Sequence, residues 1–354
     1  MVSLSVGKDF IILTFTDISV VYYKDNGECG ERLLEHVCVD CKESEKNEAS
    51  SSICSSVSSN GKYFASCLHK DLYIWRVKDW SLMSKRLINR SASALVFSGN
   101  SENIAVADKS GDVYLYSVES ADTKGELILG HVSMLLDLVI TADSKYIITC
   151  DRDEKIRVSH YPNAYNIQSY CLGHDEFVTS ICILAENENV LVSGSGDGTL
   201  RFWEFVSGKQ LLCVSCILDN ETNEHNKPLI SAVVSATYNC VLKETITLDS
   251  IPISIKFCDS ELWVLKENLE EPLSVYSYST VNNEFSLNKS VCSINSVLMK
   301  RSAHLENVFK KDRYPSTLYK RRFDNVQEYL KRKMMRIETE ASKSKRQLSD
   351  SEPN

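Results

Sequence analysis

Four segments of the chain share a small turn followed by alternating apolar residues, and they recur at a nearly constant interval. They are Lys70-Asp71-Leu72-Tyr73-Ile74-Trp75, Gly111-Asp112-Val113-Tyr114-Leu115-Tyr116, Asp153-Glu154-Lys155-Ile156-Arg157-Val158 and Gly196-Asp197-Gly198-Thr199-Leu200-Arg201-Phe202-Trp203. Measured at Asp71, Asp112, Asp153 and Asp197, the turns lie 41, 41 and 44 residues apart, and the pairs Gly130-His131 and Gly173-His174 repeat 43 residues apart in the same phase. An interval of this length holds four short antiparallel strands with tight turns. A unit of that kind cannot bury its faces alone, so it must stack against copies of itself.

Gly-His, a turn aspartate and a closing tryptophan at this period are the signature of WD40 repeats, so the spacing predicts an all-β WD40 β-propeller. In the most complete copy His174, Ser193, Asp197 and Trp203 are expected to form a buried, hydrogen-bonded tetrad, because polar groups between packed sheets must be paired. Other copies are degenerate, with Tyr116 or Ser159 where Trp would stand. An earlier copy runs from Phe10 to Tyr23 around Asp17, and the polar stretch from Asp25 to Ser52 explains why Asp71 follows it by 54 residues. Past Trp203 the phase is lost, since Asp259 lies 62 residues beyond Asp197, about one and a half periods. Either one blade has lost a hairpin or the ring has six blades, and the reading preferred is seven blades with an incomplete sixth over residues 210–265. Closing the ring through the N-terminal strands leaves no open sheet edge.

Charge divides the chain. Residues 300–346 carry 15 Lys+Arg against 6 Asp+Glu, whereas residues 1–299 carry 25 against 40. Any nucleic-acid contact made by the chain alone should then concentrate after residue 300. The same region changes period: Asp324-Asn325-Val326-Gln327 reads as a helix start, and Val326, Tyr329, Leu330, Met334 and Ile337 recur at three- and four-residue steps. The organisation expected is a propeller over 1–299, a basic segment with an amphipathic helix over 300–341, and a disordered polar tail over 342–354. The 13 cysteines are scattered, and Lys8, Asp9 and Asp17 interrupt the apolar start, which points to an intracellular protein with reduced thiols.

Catalytic and metal motifs are weak. Cys38 with Cys41 and Cys213 with Cys216 form two Cys-x-x-Cys pairs, but they are too far apart for a zinc ribbon, and Leu211 to Cys216 reads as a strand. The glycines of Ser193 to Gly198 precede a strand and not a helix, so they make a blade turn instead of a phosphate cradle. His131 and His174 occupy the repeated Gly-His position and are better placed as tetrad members than as general bases. No metal, no cofactor and no catalytic residue is expected on this chain.

The segment Asp151 to Arg157 stands apart, with three acids and three bases within seven residues. One reading is a solvated, self-compensated turn. The other is specific docking, for which alternating charges on a rigid edge are suited. Here a resemblance enters. Gly130-His131-Val132-Ser133-Met134-Leu135-Leu136-Asp137, the run from Asp151 to Ser159, Cys171 to Val178, and Leu318-Tyr319-Lys320-Arg321-Arg322-Phe323-Asp324-Asn325-Val326 resemble the WD-repeat, non-catalytic subunit of eukaryotic tRNA (guanine-N(7)-)-methyltransferase, over about residues 50 to 340. That resemblance implies a seven-bladed propeller that binds and stabilises a Rossmann-like catalytic subunit in a heterodimer, which methylates a guanine in the tRNA variable loop. S-adenosylmethionine is then expected on the partner. The resemblance further implies that Asp151, Arg152, Lys155 and Arg157 meet the catalytic subunit, with Arg157 and Lys155 reaching acids across the interface and bidentate geometry favouring Arg157. Lys320, Arg321, Arg322, Lys331 and Arg332 are expected to touch the partner or tRNA phosphates.

Two other classes stay open at this point. A WD40 substrate receptor of a ubiquitin ligase often carries Trp-Asp-x-Arg at a blade end, whereas Trp203-Glu204-Phe205-Val206 lacks that arginine. An autonomous tRNA-binding protein conflicts with the acidic body. Lys343-Ser344-Lys345-Arg346 in the polar tail, together with the resemblance, favours the nucleus, with the cytoplasm as a second location.

Overall fold

The computed structural model describes residues 2–15, 17–23, 31–36, 53–68, 70–121, 123–184, 187–216, 246, 248–250, 252–258, 260–279, 282, 284–288, 292–299, 302–309, 318–319 and 329–336. The chain divides into two compact units, Met1–Tyr314 and Pro315–Asn354.

Within the first unit the described residues form six four-stranded antiparallel sheets, each an uninterrupted meander of consecutive strands. Numbered in chain order, blades one to six span residues 3–35, 53–87, 92–130, 135–171, 178–215 and 252–287. The first strand of each blade is the innermost. Ser3–Val6 packs on Ile53–Val57, then Ala92–Phe97, Leu135–Ile140 and Val178–Leu184 follow in turn, and Pro252–Cys258 packs back on Ser3–Val6. This is a WD40 β-propeller. The extended packing that joins the other neighbours does not join Val178–Leu184 to Pro252–Cys258. Of the span 210–265, where an incomplete unit was expected, the described strands belong to blades five and six, and residues 217–245 lie outside the described residues.

Burial follows from stacking. The second strand of a blade is covered on both faces and reads as a nearly continuous apolar run: Phe10–Thr14 is buried throughout, and Tyr146–Asp151 is buried after its first residue. Outermost strands such as Lys209–Ser215 are largely exposed. Between blades the buried residues join into shared clusters; Ile148, Cys150, Ile156 and Val158 of blade four, for example, pack with Val178, Leu191, Trp203 and Phe205 of blade five. Asp137 adds a polar link between the same blades, its carboxylate accepting from the Ile181 amide at 3.0 Å and the Ser180 hydroxyl at 3.2 Å.

Two helices not foreseen from the sequence follow blade six, α1 (Cys292–Met299) and α2 (Ser302–Phe309). Ile294, Leu298 and Leu305 bury themselves with Leu4, Leu13, Trp263 and Val275, so the helices cover the seam between blades one and six. In the second unit residues 329–336 form a helix whose side chains are all exposed.

Candidate functional site

Blade five holds the complete tetrad geometry. The His174 Nδ1–H donates to Asp197 at 2.9 Å, Nε2 lies 2.7 Å from the Ser193 hydroxyl, and the Trp203 indole N–H donates to the same hydroxyl at 2.8 Å. A carboxylate beside Nδ1 fixes the tautomer, leaving Nε2 to accept from Ser193. Burial alone would raise the Asp197 carboxyl, but hydrogen bonds from His174 and Thr199 outweigh it and hold the group far below the ordinary carboxylate range. These four residues brace the blade.

Blade four solves the same problem with other residues. His131 lies 3.0 Å from the Asp151 carboxylate through Nδ1 and 2.9 Å from the Thr149 hydroxyl through Nε2. The repeat spacing assigned the turn carboxylate to Asp153; the structure gives the role to Asp151, two residues earlier. The reason is local, since Asp151 ends a strand with its carboxylate buried, where it also accepts from the Asp153 and Lys155 amides at 2.9 and 3.0 Å. Burial pushes the Asp151 carboxyl up, and the bonds from His131 and the Lys155 amide more than reverse the shift. Asp108 plays the same part in blade three, accepting from Ser110 and Asp112 amides, so Asp112 too is displaced from the role the spacing gave it.

Ser159 occupies the place of Trp203, and Arg157 fills the space an indole would take. Its Nε donates to the Ser159 hydroxyl at 3.0 Å, Nη1 to the Gly130 carbonyl at 3.0 Å and Nη2 to the Ala164 carbonyl at 3.1 Å. The side chain is only 8% exposed. Arg157 was expected as the strongest outward anchor; it points inward, tying the outer strand of blade three to the 161–166 connection of blade four. Asp151, also expected to face a partner, is equally internal.

What remains outward is the turn itself. Arg152, Asp153 and Glu154 are half-buried and Lys155 is exposed, all within a few ångströms of backbone fixed by the Asp151 cap. The Arg152 amide donates to the Met134 carbonyl at 3.0 Å, which joins the turn to the 131–134 loop. Glu154 holds a φ of 65°, a left-handed conformation uncommon outside glycine, so the turn is pinned in shape. A fixed, mixed-charge rim of this kind is suited to selecting a partner by charge register. Among the described residues no three His, Cys, Asp or Glu side chains gather as a metal site. Cys213 lies on an outer strand, and Cys38 and Cys41 are outside the described residues.

The basic candidates after residue 300 divide. Lys331 and Arg332 are exposed on the 329–336 helix beside exposed Tyr329, Leu330 and Met334, whereas Lys320, Arg321 and Arg322 lie outside the described residues.

Comparison with known proteins places these features. The family model of the tRNA methyltransferase TRM82 WD40 domain matches residues 116–255, which include blade four and blade five. The chain is 37% identical over 322 residues to the tRNA (guanine-N(7)-)-methyltransferase non-catalytic subunit wdr4 of Xenopus laevis, covering 81% of this chain and 80% of that protein. It is 36% identical to the human subunit WDR4, over 79% and 75% of the two chains, and 34% identical to the subunit wuho of Drosophila mojavensis, over 75% of each. A chain of the crystal structure of the Mitotic Checkpoint Complex matches 80% of this chain and 78% of its own length with a TM-score of 0.54 and 14% identity, a likeness of fold alone.

Proposed function

Because the chain belongs to the family of non-catalytic WD-repeat subunits of tRNA (guanine-N(7)-)-methyltransferase, we propose that it binds the catalytic subunit, stabilises it and thereby supports 7-methylguanosine formation in the tRNA variable loop. The observation that carries this reading is the extent of the likeness, 37% identity across four-fifths of both chains. The chain is not itself an enzyme. S-adenosylmethionine binds the catalytic subunit, and the two subunits form a heterodimer in which the rim turn Arg152 to Lys155 of blade four meets the partner. Asp151 and Arg157 serve that contact from within, by fixing the turn and the adjoining blade edge. Lys331 and Arg332, with Lys320, Arg321 and Arg322, add positive charge for tRNA phosphates or for the partner. The ring has seven blades, a count supported by the break in packing between Val178–Leu184 and Pro252–Cys258. The complex works in the nucleus.

Depletion of the protein followed by assay of 7-methylguanosine in bulk tRNA tests the proposal. Loss of the modification is expected; an unchanged level in depleted cells contradicts it.

A further inference from the structure

The two Gly-His pairs are preceded by leucines of very different exposure. A leucine stands two residues before each Gly-His histidine, Leu129 before His131 and Leu172 before His174. Leu129 is 4% exposed and shares a buried cluster with Ala164, whereas Leu172 is 61% exposed. Strand register accounts for the contrast: Leu129 pairs with Val113, five residues past the capping Asp108, whereas five residues past Asp151 Ile156 pairs with the buried Cys171, so Leu172 stands one residue further along and on the other face. On the other side of blade four, Val132 is fully exposed.

Both side chains flank the charged turn. The pairing of Ile156 with Cys171, continued by one residue, sets Lys155 opposite Leu172. The Arg152 amide on the Met134 carbonyl brings the turn's other end to the loop that carries Val132. Their supports are stiff: His131 is held by Asp151 and Thr149, His174 by Asp197 and Ser193. Exposed apolar groups on rigid backbone lose little conformational freedom on docking, and apolar anchors beside charges that set register is the anatomy of a specific protein interface.

We propose that Val132 and Leu172 are the two apolar anchors of the catalytic-subunit contact, one on each side of the turn Arg152 to Lys155. This rests on the reading that the chain binds that subunit, and it assigns affinity to the apolar pair and register to the charges.

The test uses the full-length chain and the purified catalytic tRNA (guanine-N(7)-)-methyltransferase subunit, with binding followed by titration calorimetry. Val132→Ser and Leu172→Ser are each expected to weaken binding about tenfold or more, the worth of burying such a side chain, with the thermal midpoint of the free chain unchanged. A double variant that binds within about twofold of the parent, alongside a Lys155→Glu variant that binds poorly, overturns the anchors and leaves the docking reading standing. Failure of the parent chain to bind the catalytic subunit overturns both.

Discussion

Replacing Arg157 separates an internal role from a contact role. The guanidinium satisfies the Gly130 and Ala164 carbonyls and the Ser159 hydroxyl, at 3.0, 3.1 and 3.0 Å, and joins two blades while it does so. Arg157→Ala leaves two backbone acceptors near the inter-blade seam without their donor and opens a void beside Ser159. At about 1–3 kcal/mol for each unsatisfied buried group, and with partial access of water, the loss comes to roughly 3 kcal/mol. In a domain of this size that lowers the thermal midpoint by about 5 °C or more. Arg157→Lys keeps the charge but cannot present three donors in a planar fork, so it recovers only part of the loss. The assay is thermal and urea denaturation of the purified chain, with binding of the catalytic subunit measured on the same samples. A midpoint within about 1 °C of the parent, combined with abolished binding, would refute the internal role and return Arg157 to the interface.

Three further outcomes follow from the geometry. Ser193→Ala deprives both His174 Nε2 and the Trp203 indole N–H of their shared partner, so destabilisation of about 1–3 kcal/mol is expected in urea titrations; a neutral result would mean the tetrad does not brace blade five. His36 is held neutral by burial, its pKa lowered to about 4 against the attraction of Asp17, so the unfolded chain takes up a proton that the folded chain refuses. Stability from this residue is complete above pH 6.5 and falls by up to about 3 kcal/mol as pH drops towards 4, and a His36→Gln variant should show a flatter profile of melting midpoint against pH over that window. Lys155→Glu reverses the charge of an exposed side chain, so the free chain should keep its midpoint while affinity for the catalytic subunit drops about tenfold; unchanged affinity would place the contact elsewhere.

The sequence discloses the repeating unit because stacking forces it: a blade buried on both faces needs apolar runs at fixed spacing, and Gly-His with a terminal Trp marks where polar groups must meet between sheets. It discloses less about how each degenerate copy compensates. Asp151 and Asp153 differ by one strand pleat, so spacing alone could not tell which carboxylate turns inward. Arg157 looked like a surface charge because a strand of alternating residues puts every second side chain outside, yet the absence of Trp at Ser159 opened room for it. That substitution was visible in the sequence, and the vacated volume was the signal that an inward arginine should be sought. Helices α1 and α2 were missed for a similar reason, since Ile294, Leu298 and Leu305 carry the helical spacing but blend into the apolar strands before them. Leu129 and Leu172 each stand two residues before a Gly-His histidine, and only the strand pairing shows that they fall on different faces, Leu129 against Val113 and Leu172 opposite Lys155.

The most direct test of the account is methyl transfer to unmodified tRNA from S-adenosylmethionine, measured for the purified chain, for the catalytic subunit and for the two together. The account predicts no transfer by this chain alone and a rate for the pair well above that of the catalytic subunit by itself. Methylation by this chain alone, or a pair no faster than the catalytic subunit, would contradict it.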